Sequence, residues 1–341
     1  MEKTSVGFKH ALVFFSLIFT LSWLALAENA LSVTPQNRLS LTLPVNCEVG
    51  KTCLVQKLVD HDASTERLDY RCGKLTTDGH DGVDIRLRTM KDMQVGYDVI
   101  AAAGGRVLRI RDGMPDIAPL SNSSLNGKDA GNGVVIDHGN GWETQYSHLR
   151  KGSVTVRPGQ DVFAGQALGQ VGMSGNAEFP HLHFSVRHNG KAIDPYSGAT
   201  QGGACNVSTS NASLWAPGSD RLLEYNPTAI ITTGLASAIP PKSVANRTDG
   251  DEILSRNSPL ILWVDVIGTK PGDVQEFKIS GPDGKPVHTY EVTIADGGLS
   301  WFAYSGKKAP ATGWLPGRYL GSYIIKRDGK IIARSEVIQN F

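Results

Sequence analysis

The stretch Phe179-Pro180-His181-Leu182-His183-Phe184 decides how this chain is read. Successive side chains alternate faces on a β-strand, so His181 and His183 point one way while Leu182 points into a core. Two imidazoles on one face suggest a metal. A lone His-x-His is more often an accident of composition than a ligand pair, so the rest of the sequence has to supply the remaining ligands.

Upstream, Asp78-Gly79-His80-Asp81-Gly82-Val83-Asp84-Ile85 offers two. His80 and Asp84, four apart, would share a helix face, but Gly79 and Gly82 are poor helix residues and Val83 to Leu87 reads as the start of a strand. Fully extended, the two Cα atoms would lie about 13 Å apart, too far for metal bonds of about 2 Å, so a turn at Asp81-Gly82 is expected to bring them together. The alternative is a polar hairpin turn with a satisfied aspartate. A further histidine stands in Tyr146-Ser147-His148-Leu149. His80, Asp84 and His183 together supply two nitrogens and one oxygen, a three-ligand set of the kind that leaves zinc a fourth position for water.

The surrounding sequence favours short strands over helices, with 38 glycines and 17 prolines in 341 residues. The fold class expected is all-β, an antiparallel sheet domain followed by a small C-terminal β-sandwich. A strand over Leu54 to Val59 leads into Asp60-His61-Asp62, which reads as a surface turn in preference to a second metal site. Arg106 to Arg111, Gly133 to Asp137 and Trp142 to Leu149 read as strands joined by Gly-rich turns such as His138-Gly139-Asn140-Gly141. Between Asp112 and Asn132 lies an aperiodic stretch too long for a plain hairpin, read either as a functional loop forming a wall or lid of a cleft or, equally, as a disordered segment. The glycines of Gly165 to Gly172 lack the Lys-Ser/Thr ending and following helix of a phosphate loop.

Residues 206–250 are rich in Ser, Asn, Thr, Ala and Pro and read as a linker with one strand near Thr228 to Thr233. Over 251–341 alternation returns in six runs from Leu260 to Ile338, with turn signals about every 10 residues, which is the pattern of a sandwich. Trp263, Trp301 and Trp314 could line a sugar-binding surface there, but core aromatics are the better account. A protein or glycan partner for this part is open.

Charge excludes one class of partner, since 34 Lys plus Arg against 33 Asp plus Glu give no field for nucleic acid. Residues 1–27 carry Lys3 and Lys9, an apolar run from Ala11 to Leu26 and the small-residue site Ala25-Leu26-Ala27, the plan of a secretory signal peptide cleaved before Glu28. An uncleaved anchor is the alternative; no later run is expected to span a membrane. Residues 28–46 read as an arm in which Leu39, Leu41 and Leu43 could add an edge strand. Cys47, Cys53, Cys72 and Cys205, an even count in an exported chain, read as disulfides, with Cys53–Cys72 and Cys47–Cys205 the favoured pairing. These two pairs would tie the ends of a domain spanning 47–205.

His-x-x-x-Asp, then Gly-Asn-Gly-Val-Val-Ile-Asp-His-Gly-Asn-Gly, then Ser-His-Leu, then Pro-His-Leu-His-Phe together resemble the lysostaphin-like (LytM-type) zinc metalloendopeptidases, over roughly Gly73 to Pro195. The resemblance implies that His80, Asp84 and His183 hold Zn2+ and that His148 and His181 stay free for catalysis. It implies cleavage of the peptide stems that cross-link cell-wall peptidoglycan, in the periplasm or cell envelope, or after secretion. A non-hydrolytic peptidoglycan-binding or regulatory module, and an endopeptidase acting on a protein, are the alternatives. There is no His-Glu-x-x-His helix to provide a glutamate base. Where the family has small residues before Pro180, this chain has Asn176-Ala177-Glu178-Phe179. Asn176, Glu178 and Phe179, with Tyr146, are therefore the expected substrate-binding residues.

Overall fold

Alternating runs closed by tight turns fold this chain into antiparallel sheets. At Asn140-Gly141, Asn189-Gly190 and Asp328-Gly329 both central residues have φ between 50° and 79°, the type I′ geometry whose twist suits a two-residue hairpin. The computed structural model describes residues 1–2, 38–118, 125–206, 212–243 and 254–341. Apart from its first two residues, the expected signal peptide lies outside them, as do residues 119–124 of the long stretch after Asp112.

The first part of the fold contains β1 (Cys53–Lys57), β2 (Val83–Leu87), β3 (Asp98–Ile100), β4 (Gly105–Arg111), β5 (Asn132–Gly139), β6 (Trp142–Leu149), β7 (Asp161–Val162), β8 (Ala167–Gln170), β9 (His181–His188) and β10 (Lys191–Ile193). One sheet runs β1-β2-β9-β6-β5-β4-β7 with β10 beside β9, and β3 pairs separately with β8. A single six-residue helix, α1 (Met90–Val95), follows β2, opened by a reciprocal Thr89–Asp92 capping box. One face of the sheet is core: Val134, Ile136, Tyr146, Leu182, Phe184 and Val186 are fully buried. The arm joins that core through Leu41 and Val45, with the Leu41, Thr42 and Asn46 N–H groups donating to the Leu214, Ala102 and Asp98 carbonyls.

The second part contains β11 (Ala229–Ala236), β12 (Leu260–Thr269), β13 (Val274–Ser280), β14 (Pro286–Thr293), β15 (Gly298–Lys307), β16 (Arg318–Arg327) and β17 (Lys330–Asn340). They form two sheets, β11-β12-β15 and β14-β13-β16-β17, enclosing Leu262, Val264, Phe277, Ile279, Tyr323 and Ile325. Trp263 and Trp314 are buried, and Trp301 is half-buried with Nε1 donating to Gln275, so core packing accounts for all three. The two parts are joined by Arg88, which donates to the Ile230 and Ile231 carbonyls of β11 while also gripping the Gly50 and Lys51 carbonyls. An apolar cluster of Leu54, Ile231 and Ile267 lies beside it.

Three expectations need correction. The disulfides are Cys47–Cys53 and Cys72–Cys205. A turn at Glu48 to Thr52, in which Gly50 N–H reaches the Cys53 carbonyl, places the first pair side by side, and the Asn206 N–H bond to Tyr70 draws Cys205 to Cys72. His61 is not on a surface turn. It is 3% exposed, with Nε2 2.9 Å from Asp194 Oδ2 and Nδ1 3.3 Å from the Ala204 carbonyl. Residues 206–250, expected as a linker with one strand near Thr228 to Thr233, do hold that strand as β11, which pairs with β12, but they also supply core: Trp215 is buried against Phe184 and Tyr196.

Burial alone would push the His61 imidazole down, but the Asp194 carboxylate outweighs it and holds the pKa above the ordinary 6.5. The stabilisation from this pair is therefore complete below pH 6.5 and is lost as pH rises through the raised value. His61→Gln should destabilise the fold by about 1–3 kcal/mol at pH 6, and the gap to wild type should narrow toward pH 9 in urea unfolding. A gap independent of pH would contradict the assignment.

Candidate metal centre

The centre is built on the face of the sheet opposite the core. In the β2–β9 register Asp84 lies opposite His183 and Arg86 opposite His181; in the β6–β9 register Ser147 lies opposite His183. His80 reaches the same place from the loop before β2. The hydrogen-bonded turn there is at Asp78-Gly79, closed by His80 N–H to the Thr77 carbonyl, three residues before the Asp81-Gly82 turn expected. Gly82 is needed for another reason: a Cβ on it would come 2.7 Å from His183 Nε2, so the ring packs on bare backbone.

His80, Asp84 and His183 each offer a ligand atom within 4.8 Å of the others. Asp84 Oδ1 is 3.1 Å from His80 Nε2 and 2.9 Å from His183 Nδ1. The opposite nitrogens are fixed: His80 Nδ1 donates to the Leu58 carbonyl at 2.7 Å, and His183 Nε2 faces Asp81 Oδ1 and Ser185 Oγ, both at 3.0 Å. His80 thus presents Nε2 and His183 presents Nδ1 to one point. A nitrogen, nitrogen and oxygen set with its outer nitrogens tied to carbonyl and carboxylate oxygens fits zinc.

His148 and His181 complete the wall, with ring centroids 4.6 Å apart. Each directs its outer nitrogen to a carbonyl, His148 Nδ1 to Ser174 at 2.7 Å and His181 Nδ1 to Phe179 at 2.9 Å, which leaves Nε2 as the unprotonated nitrogen. Strict alternation after Ser147 would turn His148 toward the core. It instead has φ of 62°, a left-handed conformation uncommon outside glycine, stabilised by its N–H bond to the Ala130 carbonyl.

Charge separates these groups. Burial, with the neighbouring histidines, lowers the pKa of His148 well below its usual value, and burial takes His181 to about 4 despite Asp84, so both are neutral at pH 7. Burial opposes charge on His183 too, but Asp81 and Asp84 outweigh it and raise the pKa to about 9. Burial would raise Asp81, yet His183 and Arg187 take it down to about 2; Asp84 is likewise held well below the carboxylate range by its histidines. A metal held here would take the place of the proton on His183 Nδ1, with Nε2 still bonded to Asp81.

The remaining expected residues divide. Asn176 and Glu178 are exposed and line the cleft. Phe179 lines it too but is only 8% exposed, with the Arg86 guanidinium 4.2 Å and Lys57 Nζ 5.7 Å from its ring centroid. Tyr146 is not in the cleft: alternation with Ser147 sends it to the core, where its hydroxyl accepts from Ala102 N–H at 2.8 Å. The stretch after Asp112 does wall the cleft at Asp129 and Ala130. Asp81, Lys57, Ser185 and Arg187 were not anticipated. Lys57 Nζ lies 3.2 Å from Asp84 Oδ2, and Arg187 bridges Asp81 to Gln145. Extending the two-residue period of His181 and His183 to Ser185 and Arg187 would have found two of these.

Residues 78–195 match Peptidase family M23. The chain is 33% identical over 115 residues to peptidoglycan DD-endopeptidase ShyA of Vibrio cholerae, covering 34% of this chain and 22% of that protein. It is 36% identical over 106 residues to cell division protein DipM of Caulobacter vibrioides, covering 29% and 16%. The chain thus spans about a fifth of the length of these curated relatives. Among solved structures, the catalytic domain of the antimicrobial peptidase lysostaphin from Staphylococcus simulans is 26% identical, covers 34% of this chain and 76% of that one, and gives a TM-score of 0.26.

Because Asp81 orients the ring of His183, Asp81→Asn should weaken zinc binding by about 10–100-fold without unfolding the sheet. Competition with a chromophoric chelator measures it; unchanged affinity would show that Asp81 does not support the ligand.

Proposed function

We propose that this chain, whose residues 78–195 match Peptidase family M23, is an exported zinc metalloendopeptidase that hydrolyses peptide cross-links of peptidoglycan. The observation that carries the reading is the convergence of His80, Asp84 and His183 beside two neutral histidines with free Nε2 atoms. Two disulfides support an oxidising destination such as the periplasm or cell envelope. The peptidoglycan DD-endopeptidase among the relatives supports the substrate.

When bound, zinc supplies an activated water and polarises the scissile carbonyl. One of His148 and His181 would accept the proton of the attacking water at Nε2, and the imidazolium N–H so formed would steady the developing oxyanion and pass the proton to the leaving amine. Their outer N–H bonds to Ser174 and Phe179 keep that tautomer through the cycle. Asp84 and Asp81 hold the ligand imidazoles in place, and Asn176 and Glu178 stand where the flanking peptide would lie.

The test is release of muropeptides from purified sacculi, followed by mass spectrometry with and without a chelator. The zinc-loaded protein should release them and the chelated protein should not. His148→Ala should retain zinc and lose at least about 100-fold in rate, whereas His183→Ala should lose zinc itself. Binding to sacculi without release by the zinc-loaded wild type would favour the regulatory module.

A further inference from the structure

Two cavities meet on the floor of the cleft. The larger, about 570 Å³, contains the histidines and four carboxylates, Asp81, Asp84, Asp129 and Glu178, against two cations, Lys57 and Arg187, that are paired with Asp84 and Asp81. The smaller, about 140 Å³, is lined by Arg109, Arg111, Gly133 and Val135, and shares Ala130, Gln145 and Ser147 with the larger. The cleft therefore runs from an acidic, metal-ligating end to a cationic one.

Strand register explains the continuity. Asp84 pairs with His183, His183 with Ser147, and Gly133 with Arg111. Gly133 closes the row, since a Cβ on it would lie 3.5 Å from Ser147 Cα and collide with the Tyr146 carbonyl oxygen. A parallel row runs Ser185, Gln145, Val135, Arg109. Three strand spacings of about 4.8 Å separate His183 from Arg111, about 14 Å, which is the reach of about four extended residues. Over that distance the floor stays low, because Gly133 cannot acquire a side chain and Ser147 is small.

Both guanidinium groups have donors to spare. Arg111 gives one N–H to the Gly131 carbonyl at 3.0 Å, and among the described residues no carboxylate lies within 4 Å of it. Arg109 is exposed, and Glu143 stands 3.9 Å away, beyond a hydrogen bond. Paired arginines at the end of a trough match a carboxylate in charge and in fork geometry.

We propose that Arg109 and Arg111 form a carboxylate-binding subsite that selects acidic peptides, holding a free carboxylate about four residues from the bond presented to the metal centre. This rests on the peptidase reading and deepens it: stem peptides with free carboxylates are preferred over the same peptides with those groups amidated.

Calorimetric binding to the full chain with chelator present, so that no turnover intervenes, tests it with a synthetic stem peptide and its carboxamide counterpart. The Arg109→Gln/Arg111→Gln double variant should lose about tenfold in affinity for the acidic peptide and bind the carboxamide as wild type does. Arg109→Lys/Arg111→Lys should recover part of the loss, since charge returns without the fork. Equal wild-type affinity for the two peptides, or an equal loss for both in the variant, overturns the subsite. Arginine-dependent binding without cleavage once zinc is restored would sink the peptidase reading and leave the subsite standing.

Discussion

Asp84 keeps a negative charge where it is 1% exposed to water, and the surrounding structure is arranged to make that possible. An unpaired buried carboxylate costs several kcal/mol. Here His80, His183 and Lys57 lie within 3.2 Å of its oxygens, and His181 lies at 3.6 Å. Those partners come from β1, the loop before β2, and β9, so the charge is satisfied only when all three are in register. A slip of one residue between β2 and β9 would turn His181 and His183 into the core and Leu182 and Phe184 outward, losing the centre and the hydrophobic face together.

The second sheet system is tied to this constraint more closely than a flexible attachment would be. Gln56 and Arg86 are both buried, and Arg86 donates to Gln56 Oε1 at 2.6 Å while Gln56 Nε2 reaches Ser300 of β15. The same guanidinium covers the Phe179 ring, and the Phe179 carbonyl fixes the His181 tautomer. The sandwich thus touches a polar chain that ends one residue contact from the cleft. Its anchorage through Arg88 to main-chain carbonyls of β11 depends on backbone position and not on side-chain identity there.

Local pattern made much of this readable in the sequence. Alternation located β6 and most sandwich strands to within a few residues, and the His-x-His and His-x-x-x-Asp spacings pointed to residues that do converge. Features set by distant contacts were not readable. Cysteine pairing depended on a turn at Glu48 to Thr52 and a bond from Asn206 to Tyr70, neither of which spacing encodes. His61 was misread because its partner Asp194 is 133 residues away, and Tyr146 because it stands beside Ser147, which faces the cleft by alternation, and His148, which joins it there only through a backbone twist of its own. Phe179 follows the same logic: next to the histidines in sequence, it is claimed by Arg86 and Lys57 and lies mostly beneath the surface.

The Cys72–Cys205 bridge spans 133 positions and encloses His80, Asp84, His148, His181 and His183, whereas Cys47–Cys53 spans six. In the chain-entropy view the long bridge contributes about 5 kcal/mol and the short one about 2. The enclosing bridge also makes β2 through β10 a covalent ring, with β1 and the sandwich as its tails. A single break in the backbone between Asp112 and Asn132 would open that ring without dividing the molecule: the two pieces would stay linked at Cys72–Cys205, each carrying part of the ligand set, and would migrate as one species until reduced.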